Sequence, residues 1–511
     1  MEVHMKKIWQ ILTKRVTVIA LLLAAQFTLL ILSLYFISSH YYYYAFLLHA
    51  ISIVIVLWLV NRKDNPQYKI SWILVIFTIP LAGGILYLMF GKSRTSKKMG
   101  KKINELLEEN RIHLPDNQQY IDELSRANPY AAKQAIYMLG CTHQPVWKHT
   151  QTHYLTPGEA KFEALIRELK KAKRFILLEY FIIQEGVMWN TILDILRQKL
   201  KEGVEIKLIF DDLGTINTLP TGYDKIMRQL GIEAYVFNQF KPTLNAFMNN
   251  RDHRKIAVID GNVGFTGGIN LADEYINEYE KYGYWKDASI MIKGEAVWNL
   301  TVMFLEMWQY ITGIHPHFEK YRGDQVFYSD GYVLPYDDNP IDDDLVGEMA
   351  YMNVINSANR YLYITTPYLI LDHEMITALS LAAHNGVDVR IITPHVPDKF
   401  YVHAVTRSYY QELIQEGIRI YEFTPGFIHS KTIVTDDEQA IVGTTNFDFR
   451  SFYLHFECGI WMYRSRAVGQ VRDDFISTLE SCEEITLETC RQTKWYIRIF
   501  RAVLRLFAPL M

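Results

Sequence analysis

HRKIAVIDGNVGFTGGIN, residues His253 to Asn270, returns downstream as HSKTIVTDDEQAIVGTTN, residues His429 to Asn446. Each copy reads His, any residue, Lys, four residues, Asp, and then an Asn seventeen positions after the His. One match of this kind is a hypothesis, whereas two in the same register indicate a duplicated unit. A strand period puts His253 and Lys255 on one face, with Ile256 and Val258 facing a core on the other. Asp260-Gly261-Asn262 has the composition of a hairpin turn, after which Gly264 to Asn270 return as a second strand. Asp260 and Asp436 accordingly read as the residues that fix the two turns.

The repeat extends upstream of the motifs. KEGVEIKLIFDD (Lys201 to Asp212) resembles HNGVDVRIITPH (His384 to His395), each roughly fifty residues ahead of its own His-x-Lys. From Tyr154 the pattern gives a helix (Ala160 to Lys171), a strand (Phe175 to Ile183), a helix (Thr191 to Lys201) and a strand (Val204 to Phe210). After an acidic loop, Asp337 to Asp344, the order repeats. A helix ends near Asn359, then come a strand (Tyr361 to Thr365), a helix (Glu374 to His384) and a strand (Val387 to Ile392). This alternation predicts an α/β fold of two mixed, mostly parallel sheets, and a pseudo-two-fold axis between them would bring both His-x-Lys faces over one cleft.

The 511 residues suffice for two or three compact units, and half of them are apolar. A net charge of -3 lacks the basic footprint of a nucleic-acid partner. Cys141, Cys458, Cys482 and Cys490 show neither a disulfide framework nor a zinc spacing and read as buried thiols in a reducing compartment.

Three uncharged apolar stretches fill the first hundred residues: Val16 to Ile37, Tyr41 to Val60 and Ile70 to Phe90. Each is long enough to span a bilayer, and their succession reads as a retained membrane anchor rather than a cleaved signal. Basic clusters precede the first (Lys6, Lys7, Lys14, Arg15), separate the second and third (Arg62, Lys63, Lys69) and follow the third (Lys92, Arg94, Lys97, Lys98, Lys101, Lys102). The positive-inside rule cannot satisfy all three clusters with three full crossings, and Pro80 with Gly83-Gly84 marks the third run as a re-entrant candidate; an outer N-terminus is the other solution. The densest cluster places the large following part on the cytoplasmic face of the cell membrane, against anionic lipid.

Two histidines, two lysines and two asparagines over one cleft suit a phosphodiester. One neutral His attacks phosphorus while the protonated other donates to the leaving oxygen. Lys255, Lys431, Asn270 and Asn446 would donate to the non-bridging oxygens. No metal or other cofactor is expected, and His143, His149 and His153 are too loosely spaced to suggest ligands. A carboxylate on the far ring nitrogen would orient each histidine, and the strand following each motif offers Glu457 for His429 and Asp287 for His253.

HRKIAVID and HSKTIVTD, with GGIN and GTTN behind them, resemble the paired HKD motifs of the phospholipase D superfamily, over a span from about Tyr154 to the end. LAGGILYLMFGKS, ILLEYFII, NNRDHRKIAVIDG and NFDFRSFYLHFE are similar to bacterial cardiolipin synthases. The resemblance implies catalytic roles for His253, Lys255, Asp260, His429, Lys431 and Asp436. It further implies a ping-pong transfer in which one phosphatidylglycerol is attacked by His253, glycerol leaves, and a second resolves the phosphatidyl-histidine to cardiolipin with His429 as acid and then base. Gly268 departs from the commonest pattern, where relatives carry a Ser hydroxyl. Phospholipase D hydrolysis to phosphatidic acid shares the first half-reaction, and a non-catalytic membrane scaffold is the alternative of another class.

Arg491, Lys494, Arg498, Arg501 and Arg505 recur at helical spacing opposite Trp495, Ile499, Val503, Leu506 and Phe507. Such a basic amphipathic helix either lies in an anionic interface or packs its apolar side on the domain. The chain thus divides into a membrane anchor (1–102), a connector (103–153), a first repeat (154–330), an acidic linker (331–345), a second repeat (346–485) and the basic helix (486–511).

Overall fold

The computed structural model describes residues 42–63, 65–79, 97–239, 250–328, 330–340 and 344–510, with a few isolated positions before residue 90. Most of Val16 to Ile37, most of Ile70 to Phe90 beyond Ile79, and the flanking basic residues Lys6 to Arg15, Lys92 and Arg94 lie outside the described residues.

Among the described residues nine strands precede residue 300: β1 (Thr150–Leu155), β2 (Phe175–Tyr180), β3 (Glu205–Asp211), β4 (Glu233–Phe237), β5 (Arg251–Asp252), β6 (Lys255–Ile259), β7 (Val263–Gly267), β8 (Tyr284–Lys286) and β9 (Ser289–Gly294). Nine follow: β10 (Tyr332–Asp338), β11 (Tyr361–Thr365), β12 (Asp388–Pro394), β13 (Arg419–Phe423), β14 (Gly426–Ile428), β15 (Thr432–Thr435), β16 (Gln439–Gly443), β17 (His455–Tyr463) and β18 (Cys482–Ile485). The first sheet runs β1-β9-β7-β6-β2-β3-β4, and the second repeats that order as β10-β17-β16-β15-β11-β12-β13 before adding β18 at its edge. The duplication read from the motifs is therefore a duplication of topology.

The sheets are mixed but not mostly parallel. Along each strand order β2-β3-β4 and β11-β12-β13 run parallel and the remaining neighbours are antiparallel, while the short β5 and β14 make parallel pairs with β17 and β8. A parallel pair needs a crossover, which helices such as Val187–Lys201 and His373–His384 provide. The motif strands are joined by tight turns instead, which force the antiparallel arrangement. Asp260 (φ 54°) and Gly261 (φ 70°) make the first turn in left-handed conformation, as Asp436 (φ 57°) and Asp437 (φ 61°) make the second. β7 ends at Gly267, so Gly268 to Asn270 leave the sheet rather than extend it. The supposed acidic linker supplies β10, which pairs antiparallel with β17 and buries Val333 and Leu334 on its two faces as a core strand does.

Between the sheets lies one core, with Ile256, Val258 and Ile290 from the first meeting Val434, Val442 and Ile460 from the second around the helices Val297–Thr312 and Arg466–Leu479. Outer helices bury the opposite faces, including Ala257 and Ile259 on one sheet and Ile433 and Ile441 on the other. Both faces of the motif strands are thus apolar, and the polar chemistry is confined to strand ends. At Gly264 a Cβ would stand 2.8 Å from Leu300 Cδ1, which explains a glycine in the strand that meets the central helix.

Ahead of the repeats, helices Tyr42–Val60 and Pro66–Thr78 pack on each other through Leu59, Trp72 and Ile76. Asn65 at their turn donates to Tyr453 Oη (2.9 Å) and tethers the pair to the second repeat. Among the described residues no helix is long and apolar enough to cross a membrane. The connector is largely helical, over Lys97–Asn110, Gln118–Ala127 and Pro129–Thr142. The C-terminal helix, Trp495–Leu506, leans on helix Phe400–Gln415 through an Arg505–Glu412 pair (2.6 Å). It exposes Trp495, Ile499, Phe500, Val503 and Leu506, so its apolar side is not the side that packs. The four cysteines form no disulfide with one another; Cys458 is buried and the other three are half-buried.

Asn299, on the central helix, accepts from Trp147 Nε1 (2.7 Å) and donates to the carbonyls of Pro145 (3.0 Å) and Pro335 (2.8 Å). It joins the entry to the first repeat with the first strand of the second. Asn299→Ala strands these buried partners and should destabilise the fold by about 3 kcal/mol; a denaturation midpoint equal to wild type would contradict this.

Candidate active site

Each motif begins where its chain crosses to the other repeat. β5, immediately before His253, lies beside the start of β17, and the His253 N–H donates to Phe456 O (2.9 Å). β14, just before His429, lies beside β8, and the His429 N–H donates to Lys286 O (2.7 Å). These exchanged strands bring His253 and His429 to one cavity of about 560 Å³, whose wall also includes Asn270 and Asn446.

The crossing corrects the expected carboxylate partners. His253 Nδ1 is 2.9 Å from both oxygens of Glu457, and His429 Nδ1 is 2.7 Å from Asp287 Oδ2. Each histidine is therefore oriented by the opposite repeat, where the sequence placed Glu457 with His429 and Asp287 with His253. Within a sheet the carboxylate strand is separated from the motif strand by the hairpin's return strand, β7 or β16. The exchanged strand is adjacent, and adjacency wins. Both carboxylates are 0% exposed, so each holds the proton on Nδ1 and leaves Nε2 as the free nitrogen.

Burial lowers the His253 pKa well below its ordinary value, helped by the charges of Lys255 and Lys431. His429 is pushed down to about 4 by burial and Lys431, against the raising effect of Asp287. Burial likewise lowers Lys255 to about 8 and Lys431 to about 7. Such crowded cations favour an anion between them. Each ammonium donates to the carbonyl of its own motif's histidine, and both lysines are 1% exposed, behind the cavity wall.

Asn270 accepts from the Ile182 N–H (2.9 Å) and donates to Tyr275 Oη (2.7 Å); Asn446 lies 3.4 Å from Asp448 Oδ2. Asp260 and Asp436 stand apart from the cavity. Asp260 accepts the N–H groups of Lys173, Arg174 and Phe175 at 2.8 to 3.0 Å, and Asp436 those of Asn359, Arg360 and Tyr361 at 2.7 to 3.0 Å. They pin the starts of β2 and β11, as turn residues.

The halves differ in detail. The Thr444 hydroxyl donates to Glu457 Oε2, whereas a Cβ on the equivalent Gly268 would stand 2.1 Å from Asp287 Oδ1. The absence of any side chain at Gly268 thus makes room for the shorter acid, which accepts the Ala288 N–H (2.7 Å) instead. Rings of Tyr275, Trp285 and Phe427 surround His429 at 5.4 to 5.8 Å, while His253 meets Phe181 at 5.0 Å and His455 at 5.3 Å. Arg251 forms a buried pair with Asp211 (2.7 Å) under the site. Sequence reading missed His455, Trp285 and Arg251, although each sits two residues before a chosen residue, on the same side of an extended strand.

Residues 165–308 and 351–479 match the family described as cardiolipin synthase, PLD-like domain, and residues 50–92 match phospholipase D-nuclease N-terminal. A cardiolipin synthase of Halalkalibacterium halodurans is 35% identical over 467 residues, covering 90% of this chain and 92% of that protein. An uncharacterized protein of Streptococcus mutans is 42% identical over 462 residues, 89% of this chain and 99% of its own. The crystal structure of a phosphatidylserine synthase from Haemophilus influenzae shares the fold at a TM-score of 0.55 and 14% identity, covering 74% of this chain and 98% of that one. With its duplicated sheets, crossed histidine–carboxylate pairs and these matches, the chain belongs to the cardiolipin synthase family of phospholipase D-like proteins.

Proposed function

We propose that this chain is a phosphatidyltransferase that joins two phosphatidylglycerol molecules into cardiolipin and releases glycerol. The observation that carries the reading is the pair of buried imidazoles, each held through Nδ1 by a carboxylate and each facing the same cavity. Nε2 of His253 attacks the phosphorus of the first lipid, forming a P–N bond as the P–O bond to glycerol breaks. His429 gives its proton to the departing oxygen. The headgroup hydroxyl of the second lipid then loses its proton to His429 and attacks the phosphatidyl-histidine, which frees His253. Burial alone disfavours the protonated His429 that the first step requires. The bound phosphodiester anion offsets Lys255 and Lys431, and Asp287 supports the imidazolium. Each lysine spends one N–H on a carbonyl and retains two for non-bridging oxygens.

A lipid substrate is supported by the surface around the cavity. Tyr401, Phe449 and Ala508 contribute to its wall, Phe400 is 70% exposed, and Ala508 follows the helix whose apolar side faces outward. Ser71 of the N-terminal helix pair donates to Leu506 O, so that pair and the C-terminal helix meet on this side. We read this surface as the part that meets the bilayer, with the N-terminal apolar runs as a multi-pass anchor and the repeats on the cytoplasmic face of the cell membrane.

Vesicles of labelled phosphatidylglycerol test the reaction directly. Cardiolipin plus glycerol is expected, phosphatidic acid alone would identify a hydrolase, and no turnover of any lipid would identify a scaffold. His253→Ala should abolish a covalent phosphatidyl adduct; an adduct that persists there and vanishes in His429→Ala would reverse the two roles.

The crossed pairs separate by leaving group. With a phosphatidyl ester of p-nitrophenol, which departs without a proton, Asp287→Asn should form the adduct near the wild-type rate while Glu457→Gln slows it about 10²-fold or more. The opposite pattern would restore the within-repeat pairing.

A further inference from the structure

His455 and Glu457 lie two residues apart on β17, so both side chains point towards His253. The His455 ring also lines the cavity, is 7% exposed, and has no hydrogen-bond partner at either nitrogen among the described residues. Its Nδ1 is 3.6 Å from Glu457 Oε1, beyond hydrogen-bonding distance. The same oxygen is 2.9 Å from His253 Nδ1, while the Thr444 hydroxyl engages Oε2. A buried imidazole unmatched at both nitrogens is an unusual thing for a fold to retain.

We propose that His253, His455 and Glu457 form a binding site for a borderline divalent metal ion of the Zn²⁺ type, and that its occupation switches the transfer reaction off. One ligand atom from each residue lies within 4.8 Å of the others. Two imidazoles and one carboxylate are an established donor set for zinc, which leaves a fourth position open. Ligands about 2.0–2.1 Å from a tetrahedral ion stand about 3.3 Å apart. The 2.9 Å and 3.6 Å separations from Glu457 Oε1 bracket that value. On binding, the His253 proton moves from Nδ1 to Nε2 so that the ring stays neutral, the Nδ1 lone pair goes to the metal, and Glu457 exchanges its hydrogen bond for a metal bond; no electrons are transferred. Nε2, the proposed nucleophile, then carries the proton and has no lone pair to offer phosphorus.

The other half of the centre supplies an internal control. Trp285 precedes Asp287 as His455 precedes Glu457, and its ring is 5.4 Å from His429. An indole offers no lone pair to a metal, so the site exists on one side only.

Inhibition rests on the proposed transfer reaction, whereas metal binding does not. Zn²⁺ alone, titrated calorimetrically into the full-length protein in detergent, should bind once per chain, and Co²⁺ should give visible d–d absorption. His455→Ala and His455→Gln should each weaken binding by more than the roughly 10–100-fold that changes outside a coordination shell cost. Asp287→Asn should bind like wild type. In the vesicle assay Zn²⁺ should inhibit, a chelator should restore the rate, and His455→Gln should lose Zn²⁺ sensitivity by the same factor as affinity. No stoichiometric binding in the wild type, or unchanged affinity in both His455 variants, overturns the proposal. Intact binding without lipid turnover refutes the transfer reading alone.

Discussion

The hydrogen bonds that His253 donates to Glu457 and His429 donates to Asp287 tie the two repeats into a single centre. Each carboxylate is fully buried and lies at the end of a strand of one sheet, beside a short strand exchanged from the other. A buried carboxylate without a partner is expensive, so separating the sheets would strand two charges as well as open the shared core. The wide apolar faces, the central helix and the turns pinned by Asp260 and Asp436 all hold those strand ends in register. Neither half is a site by itself.

Pseudo-symmetry supplies the frame, and departures from it supply direction. Gly268 gives Asp287 its space, while Thr444 fastens the longer Glu457. The aromatic wall at His429 contrasts with the second imidazole at His253. Two histidines that attack and protonate in turn need unlike surroundings, and the unlike partners create that difference without disturbing the shared topology. The same asymmetry sets a second imidazole beside His253 where the matching place beside His429 holds the Trp285 indole.

Much of this was legible in the sequence. Two motifs in one register fixed the duplication, and the Asp-centred turns and most helices follow from composition and period. What failed had physical causes. Short hairpins forced antiparallel neighbours where alternating helices suggested parallel ones. The carboxylate partners were assigned within each repeat, because spacing along a chain cannot reveal that β5 and β14 cross to the opposite repeat. Asp337 and Asp338 made β10 look like a linker, although Val333 and Leu334 bury it as a strand. His455 is 202 positions from His253, and only the fold brings their rings to 5.3 Å.

The central claim is that one chain carries one composite centre needing both of its own histidines. The measurement that addresses it most directly is lipid turnover after mixing full-length His253→Ala protein with full-length His429→Ala protein. Each chain retains only half of its centre, so the account predicts no recovery of cardiolipin formation at any mixing ratio. Activity rising towards a fraction of wild type would mean that the histidines meet across chains, and would contradict the centre described.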